Sequence, residues 1–200
     1  MMFSCQKQDR KDNKDSVAGD TVAVKDSIPS KRKLTSVEAI KSEYNIINMK
    51  LQAKKLDSLS FDYECNEISG NVVYYSENGI LKVVRHFSAD SHFSSVENYF
   101  VRDGKPFFVF KDETVWSFDG GTPEKPETKD NITQQRMYIA DHKIIKCLEK
   151  TFTIKSSLAE NPKPEDVPNR ESKNCSPEEV QKTFELLMKN THRKGKTNCL

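Results

Sequence analysis

The sequence predicts an α+β domain: an antiparallel β-meander of six to eight strands packed on one N-terminal helix, with a short helix near the C-terminus. Three observations predict it. Strand–turn–strand segments recur around Asn78-Gly79, Asp103-Gly104 and Asp141-His142. An apolar stripe at helical spacing precedes them. A second, shorter stripe with cap residues follows them.

The first helix begins at Thr35. Thr35-Ser36-Val37-Glu38 fits a capping box, in which the hydroxyl accepts a backbone N–H and the carboxylate reaches back. Val37, Ile40, Tyr44, Ile47 and Leu51 then form one apolar stripe, predicting a helix to about Leu56. Leu59, Phe61, Tyr63 and Cys65 alternate with Ser60, Asp62 and Glu64, the period of a half-buried strand.

Asn-Gly and Asp-Gly between apolar runs are strong hairpin signals, because a type I′ turn needs positive φ at both central residues. Asp141-His142 holds the equivalent place with a poorer turn residue. Thr114–Phe118 reads as an added edge strand and residues 119–131 as an inserted polar loop. Two-residue loops alone would put Val72, Tyr74, Leu81, Val83, Tyr99, Val101, Phe108, Phe110, Met137, Ile139, Ile144 and Leu148 on one face. The N-terminal helix is expected to cover that face. The second face carries Tyr75, Phe100 and Tyr138 at matching places in the hairpins, with Arg102, Lys105 and Arg136 around them. Such a row suits an apolar or amphipathic ligand or a partner's surface. Packing of the rings against their neighbours is the competing reading.

Residues 156–175 read as a linker. Ser176-Pro177-Glu178-Glu179 starts a short helix over 176–190, with Ser176 as cap, Pro177 at the first position, and Val180, Phe184 and Leu187 as its stripe. Residues 191–200 read as a disordered tail. The domain proper is 34–155, and residues 1–33 are a polar, charged tether with too few large apolar groups to offset ordering entropy.

A net charge of +2, with both signs interspersed, argues against nucleic acid as a partner. No apolar run approaches the length of a membrane-spanning helix. The chain opens Met1-Met2-Phe3-Ser4-Cys5, which looks like the end of a bacterial lipoprotein signal, with Cys5 as the lipidated residue. A full signal needs about 7–15 apolar residues before cleavage, and the alternative is a free cysteine ahead of a polar segment. The remaining cysteines are Cys65, Cys147, Cys175 and Cys199, none in a CxxC pair. In an exported chain, Cys65 with Cys147 is the expected disulfide, since both lie in strands; two reduced buried thiols are the alternative.

Catalytic and metal motifs are weak. Gly195-Lys196-Thr197 echoes a phosphate-binding loop, but Asn190 stands where its first glycine belongs. His86, Asp90 and His92 have residue types that can ligate zinc, at loose spacing. No cofactor is expected.

Phe61-Asp62-Tyr63-Glu64-Cys65, Asn98 through Lys105, Gln135-Arg136-Met137-Tyr138 and Lys146 through Lys150 carry a resemblance across about 36–152. The span resembles a family of small, uncharacterised bacterial lipoproteins of the Bacteroidetes kind. That resemblance implies location and fold, with no activity or catalytic residues. The expected function is a non-catalytic, membrane-tethered envelope protein that binds or interacts, its domain in the periplasm or at the cell surface; a cytoplasmic protein is the alternative if the signal resemblance is accidental. A carrier of an apolar or amphipathic ligand on the second sheet face is the first alternative. An enzyme using the His86–His92 loop is the second.

Overall fold

The three central hairpins turn through residues held at positive φ: Asn78 and Gly79 at 51° and 75°, Asp103 and Gly104 at 51° and 75°, Asp141 and His142 at 46° and 65°. All three therefore turn in the type I′ sense that matches strand twist. The computed structural model describes residues 33–200, so Cys5 and the tether expected over 1–33 lie outside the described residues.

The helix α1 spans Val37–Gln52. The strands β1 to β7 are Asp57–Cys65, Ile68–Glu77, Ile80–Ala89, Phe93–Arg102, Lys105–Thr122, Lys125–Ala140 and Lys143–Lys155. They form an uninterrupted antiparallel meander. A two-residue strand β8, Arg170–Glu171, pairs with β7 at one edge. The helix α2 spans Pro177–Lys189. The strand β9, Gly195–Asn198, lies parallel to β1 at the other edge, completing a nine-stranded sheet in the order β8-β7-β6-β5-β4-β3-β2-β1-β9.

The antiparallel α+β architecture is as the sequence predicts, with differences in register, helix placement, cysteine pairing and strand extent. The first concerns register. Each hairpin carries a β-bulge beside its turn, at Tyr75/Ser76, Phe100/Val101 and Tyr138/Ile139. The extra residues are Lys82, Phe107 and Ile145, so Tyr75 pairs with Val83, Phe100 with Phe108 and Tyr138 with Lys146. A one-residue slip moves every following side chain to the opposite face. Val84, Val109 and Cys147 thus join Tyr74, Tyr99 and Met137 on one face, while Val83 and Phe108 join Phe100 and Tyr138 on the other.

The second difference concerns the helices. α1 covers the Tyr75–Phe100–Tyr138 face, opposite to the side expected, and α2 covers the other. The pairings Tyr75–Val83–Phe100–Phe108–Tyr138–Lys146 make one continuous row across β2 to β7. That row spans five inter-strand steps, about 24 Å, and a 16-residue helix is also about 24 Å long. α1 lies along the row, its predicted stripe of Val37, Ile40, Tyr44, Ile47 and Leu51 packed on it. Ion pairs mark both ends: Lys33 with Asp141 at 3.3 Å and Lys50 with Glu77 at 2.6 Å. Its N-cap is Ser36, which accepts from Ala39 N at 3.2 Å, one residue later than the Thr35 box predicted.

α2 keeps its predicted start. Ser176 Oγ accepts from Glu179 N at 3.1 Å and Pro177 occupies the first turn. Val180, Phe184 and Leu187 sit on the row Tyr74–Val84–Tyr99–Val109–Met137–Cys147.

The third difference is the disulfide pattern. Cys65 bonds Cys199 and Cys147 bonds Cys175, with Cα separations of 4.4 and 6.4 Å. The expected Cys65–Cys147 bridge does not form, because β1 and β7 stand at opposite sides of the meander. Each instead binds one end of the C-terminal segment. That segment leaves β7 at Cys175, crosses the sheet as α2 and returns to β1 at Cys199. Residues 191–200 therefore hold β9 rather than a tail, since the Cys65–Cys199 bond and the ladder to β1 fix them.

Residues 119–131, expected as a polar loop, continue β5 and β6 as a long hairpin arm. Asp119 bridges Lys129 and Lys155, each at 2.8 Å, and holds the arm to β7. Within the expected linker, Asn161 both accepts from Lys155 N and donates to Lys155 O, at 2.7 and 3.0 Å, closing the end of β7.

Candidate ligand groove

Under α1 the aromatic row is mostly filled. Tyr44 packs edge-on to Phe100 at 4.7 Å and to Phe108 at 4.9 Å between ring centres. Phe100 is only 3% exposed. This covers the middle of the row, where Phe100 lies under the helix. Tyr75 is half-buried at the β2 end. Arg102 pairs with Glu43 of α1 at 3.7 Å.

Toward β6 the helix leaves a groove of about 470 Å³ lined by Lys41, Tyr44, Asn45, Phe108, Phe110, Arg136 and Tyr138. Phe108 pairs with Tyr138 and Phe110 with Arg136 across β5 and β6, so the four lie as a block on one face. The Phe108 and Tyr138 rings are 5.1 Å apart. Arg136 lies over Phe110, its guanidinium carbon 4.8 Å from the ring centre. It donates to Asn169 Oδ1 at 2.9 Å and to Gln134 Oε1 at 3.5 Å. Lys41 Nζ stands 6.0 Å from the Tyr138 ring centre. Burial raises the Tyr138 phenol, offset in part by the Arg136 charge, so it stays a neutral donor at physiological pH.

Of the predicted ligand residues, the structure brings Tyr138 and Arg136 into this groove and places Tyr75, Phe100 and Arg102 outside it. Sequence reasoning missed Lys41, Asn45, Phe108 and Phe110. The bulges hid the two phenylalanines by reversing their face. Lys41 and Asn45 were legible in principle, because they stand one helical turn apart and flank Tyr44.

A second cleft of about 480 Å³ lies between β7 and residues 167–174. Glu149, Lys150, Arg170, Glu171 and Lys173 line it. Both charge signs meet there without an aromatic floor, so it defines no ligand class.

The histidines do not converge. His86 lies beneath α2, its Nε2 2.8 Å from Tyr63 Oη and its Nδ1 3.5 Å from Glu97 Oε2. Tyr99 Oη donates to Glu97 at 2.8 Å, and Lys111 stands between Glu97 and Glu179 at 3.8 and 3.3 Å. Burial raises the Glu97 carboxyl, but bonds from His86 and Tyr99 and the His86 and Lys111 charges outweigh it and hold it below its ordinary value. His92 instead stacks on Trp116 at 4.3 Å, and Asp90 accepts from the His92 and Phe93 backbone. Among the described residues, no cluster of His, Cys, Asp or Glu is placed to hold a metal ion. No described helix is long and apolar enough to cross a membrane.

Compared with known protein families, curated proteins and solved structures, the chain shows no match.

Proposed function

We propose that this chain is a non-catalytic binding module of a bacterial cell envelope, tethered to a membrane by lipid on Cys5, and that it holds an apolar or amphipathic ligand between α1 and the sheet. The observation that carries the binding reading is the groove. It is lined by Phe108 and Tyr138, which keep 5% and 4% of their surface exposed, and by the partly exposed Phe110. Its volume falls within the range of small-molecule sites, about 300–1,000 Å³. Its few polar groups, Lys41, Asn45 and Arg136, stand among the rings, as in sites that orient a ligand by a small number of contacts.

The disulfides support the location. Two of them fasten the C-terminal segment, and such bonds persist in oxidising compartments such as the periplasm or cell surface. The polar stretch between Cys5 and Leu34 has the composition of a tether.

The test is intact mass spectrometry of the protein isolated from its native cell, before and after reduction and after organic extraction. The expected result is an acyl addition on Cys5, a mass gain on reduction from two disulfides, and an extractable small molecule. An unlipidated chain with free thiols and no extractable ligand would overturn the reading.

A further inference from the structure

The inference concerns the ligand's head group and rests on the binding reading just given. Arg136 makes no direct ion pair among the described residues, and the nearest carboxylate on its hydrogen-bond path, Asp112, is reached only through Gln134. Asn169 and Gln134 are neutral amides, and Phe110 offers a ring face. Among the described residues, no carboxylate oxygen lies within 4.0 Å of Arg136 or of Lys41. The arrangement differs from that of Arg102, Lys50 and Lys111, each of which has an acidic partner. Lys150 lies on the same face: it is buried, donates to the Pro164 carbonyl, and is pushed below its ordinary value by burial and by Arg136, against the opposing charges of Glu165 and Asp112.

Asn169 comes from the segment closed by the Cys147–Cys175 bond. That bond restrains the residue that aims Arg136. A guanidinium fixed in this way presents its free N–H groups without further ordering cost, in a fork that fits a planar carboxylate. Beside it lies an apolar floor of Phe108, Phe110 and Tyr138. The groove, at about 470 Å³, is of the size of a site for one small molecule.

We infer that the groove is a receptor for a free fatty acid, with the acyl chain on Phe108, Phe110 and Tyr138 and the carboxylate accepting hydrogen bonds from Arg136 with Lys41 beside it. Charge complementarity selects this occupant over a neutral or cationic amphiphile of equal length.

The test is isothermal titration of the full chain with decanoate, decanol, decyl phosphate and decyltrimethylammonium at neutral pH. A charge-assisted hydrogen bond makes decanoate bind at least about tenfold tighter than decanol, with the ammonium weakest. The half-buried Arg136 is replaced by Gln as a second arm. Arg136→Gln brings decanoate down to the decanol affinity and leaves decanol within about twofold of wild type. Equal wild-type affinities for decanoate and decanol would overturn the inference and leave the groove a site for apolar ligands. Decyl phosphate binding about tenfold tighter than decanoate would overturn the carboxylate assignment. Failure of all four probes to bind would remove both the inference and the ligand reading beneath it.

Discussion

The Tyr74 hydroxyl donates to the Leu187 carbonyl oxygen at 2.6 Å, joining β2 to the last turn of α2. Leu187 is fully buried, and its carbonyl also accepts from Asn190 N at 3.0 Å. Burial raises the Tyr74 phenol to about 12, so it remains a donor across physiological pH. Tyr74→Phe removes one of two donors to that oxygen and is expected to cost about 0.5–1.5 kcal/mol. Thermal melts will show a fall of about 2–4 °C per kcal/mol for a domain of this size. An unchanged melting temperature would mean that the Asn190 bond alone satisfies the carbonyl.

The disulfides make a connectivity prediction. Peptide mapping under non-reducing conditions will recover Cys65 linked to Cys199 and Cys147 linked to Cys175. Their sequence separations of 134 and 28 give chain-entropy contributions of about 5 and about 4 kcal/mol. Replacing Cys65 and Cys199 together by Ser will therefore lower stability more than replacing Cys147 and Cys175, as read by urea denaturation. The reverse order would show that native-state packing, rather than chain entropy, dominates.

The two helices pack on opposite faces, so truncations on each face should act independently. Ile40 of α1 and Leu187 of α2 are both 0% exposed. Each change to Ala is expected to cost about 2–5 kcal/mol. The double variant should equal the sum within about 0.5 kcal/mol. A larger discrepancy would show coupling through the sheet. If the double variant does not fold, Ile40→Val with Leu187→Val gives the same comparison at lower cost.

Glu97 predicts an acid limb in the stability profile. Its carboxyl titrates below the ordinary value of 4.5 in the folded state. A depressed acid stabilises the fold fully above its unfolded value and loses that contribution as pH falls through the lower folded value. Melts taken from about pH 7 down to about pH 3 should steepen below the ordinary carboxylate range, and Glu97→Gln should flatten that limb. Asp119 and Glu77 are lowered too, through half-buried lysine partners, and will leave a residual slope.

Gly70 is the closest backbone approach with a side-chain cause. The ring of Tyr63, its cross-strand partner, occupies the space a Cβ would take. Gly70→Ala must displace that ring and strain its 2.8 Å contact with His86, at a cost of about 1–3 kcal/mol. Chemical denaturation together with the His86 imidazole NMR resonance checks both effects.

The sequence by itself determined the three hairpins and the two helices. Positive-φ turn chemistry marked the three hairpins, helical spacing marked α1 and α2, and Ser176-Pro177 marked where α2 begins, because each signal lies within one turn or one helical repeat. What the tertiary structure alone decided is which face each side chain meets. Lys82, Phe107 and Ile145 carry no local sign of a bulge, yet each reverses the face of the residues beyond it, and so Phe108 and Phe110 came to stand beside Tyr138 and Arg136. The cysteine pairing was decided the same way. Cys199 reaches Cys65 only because α2 carries the chain across the whole sheet, and Asn169 reaches Arg136 only because the segment before α2 folds back over β6. Such contacts join residues far apart in the chain, and their energy comes from packing between whole elements rather than from any local propensity.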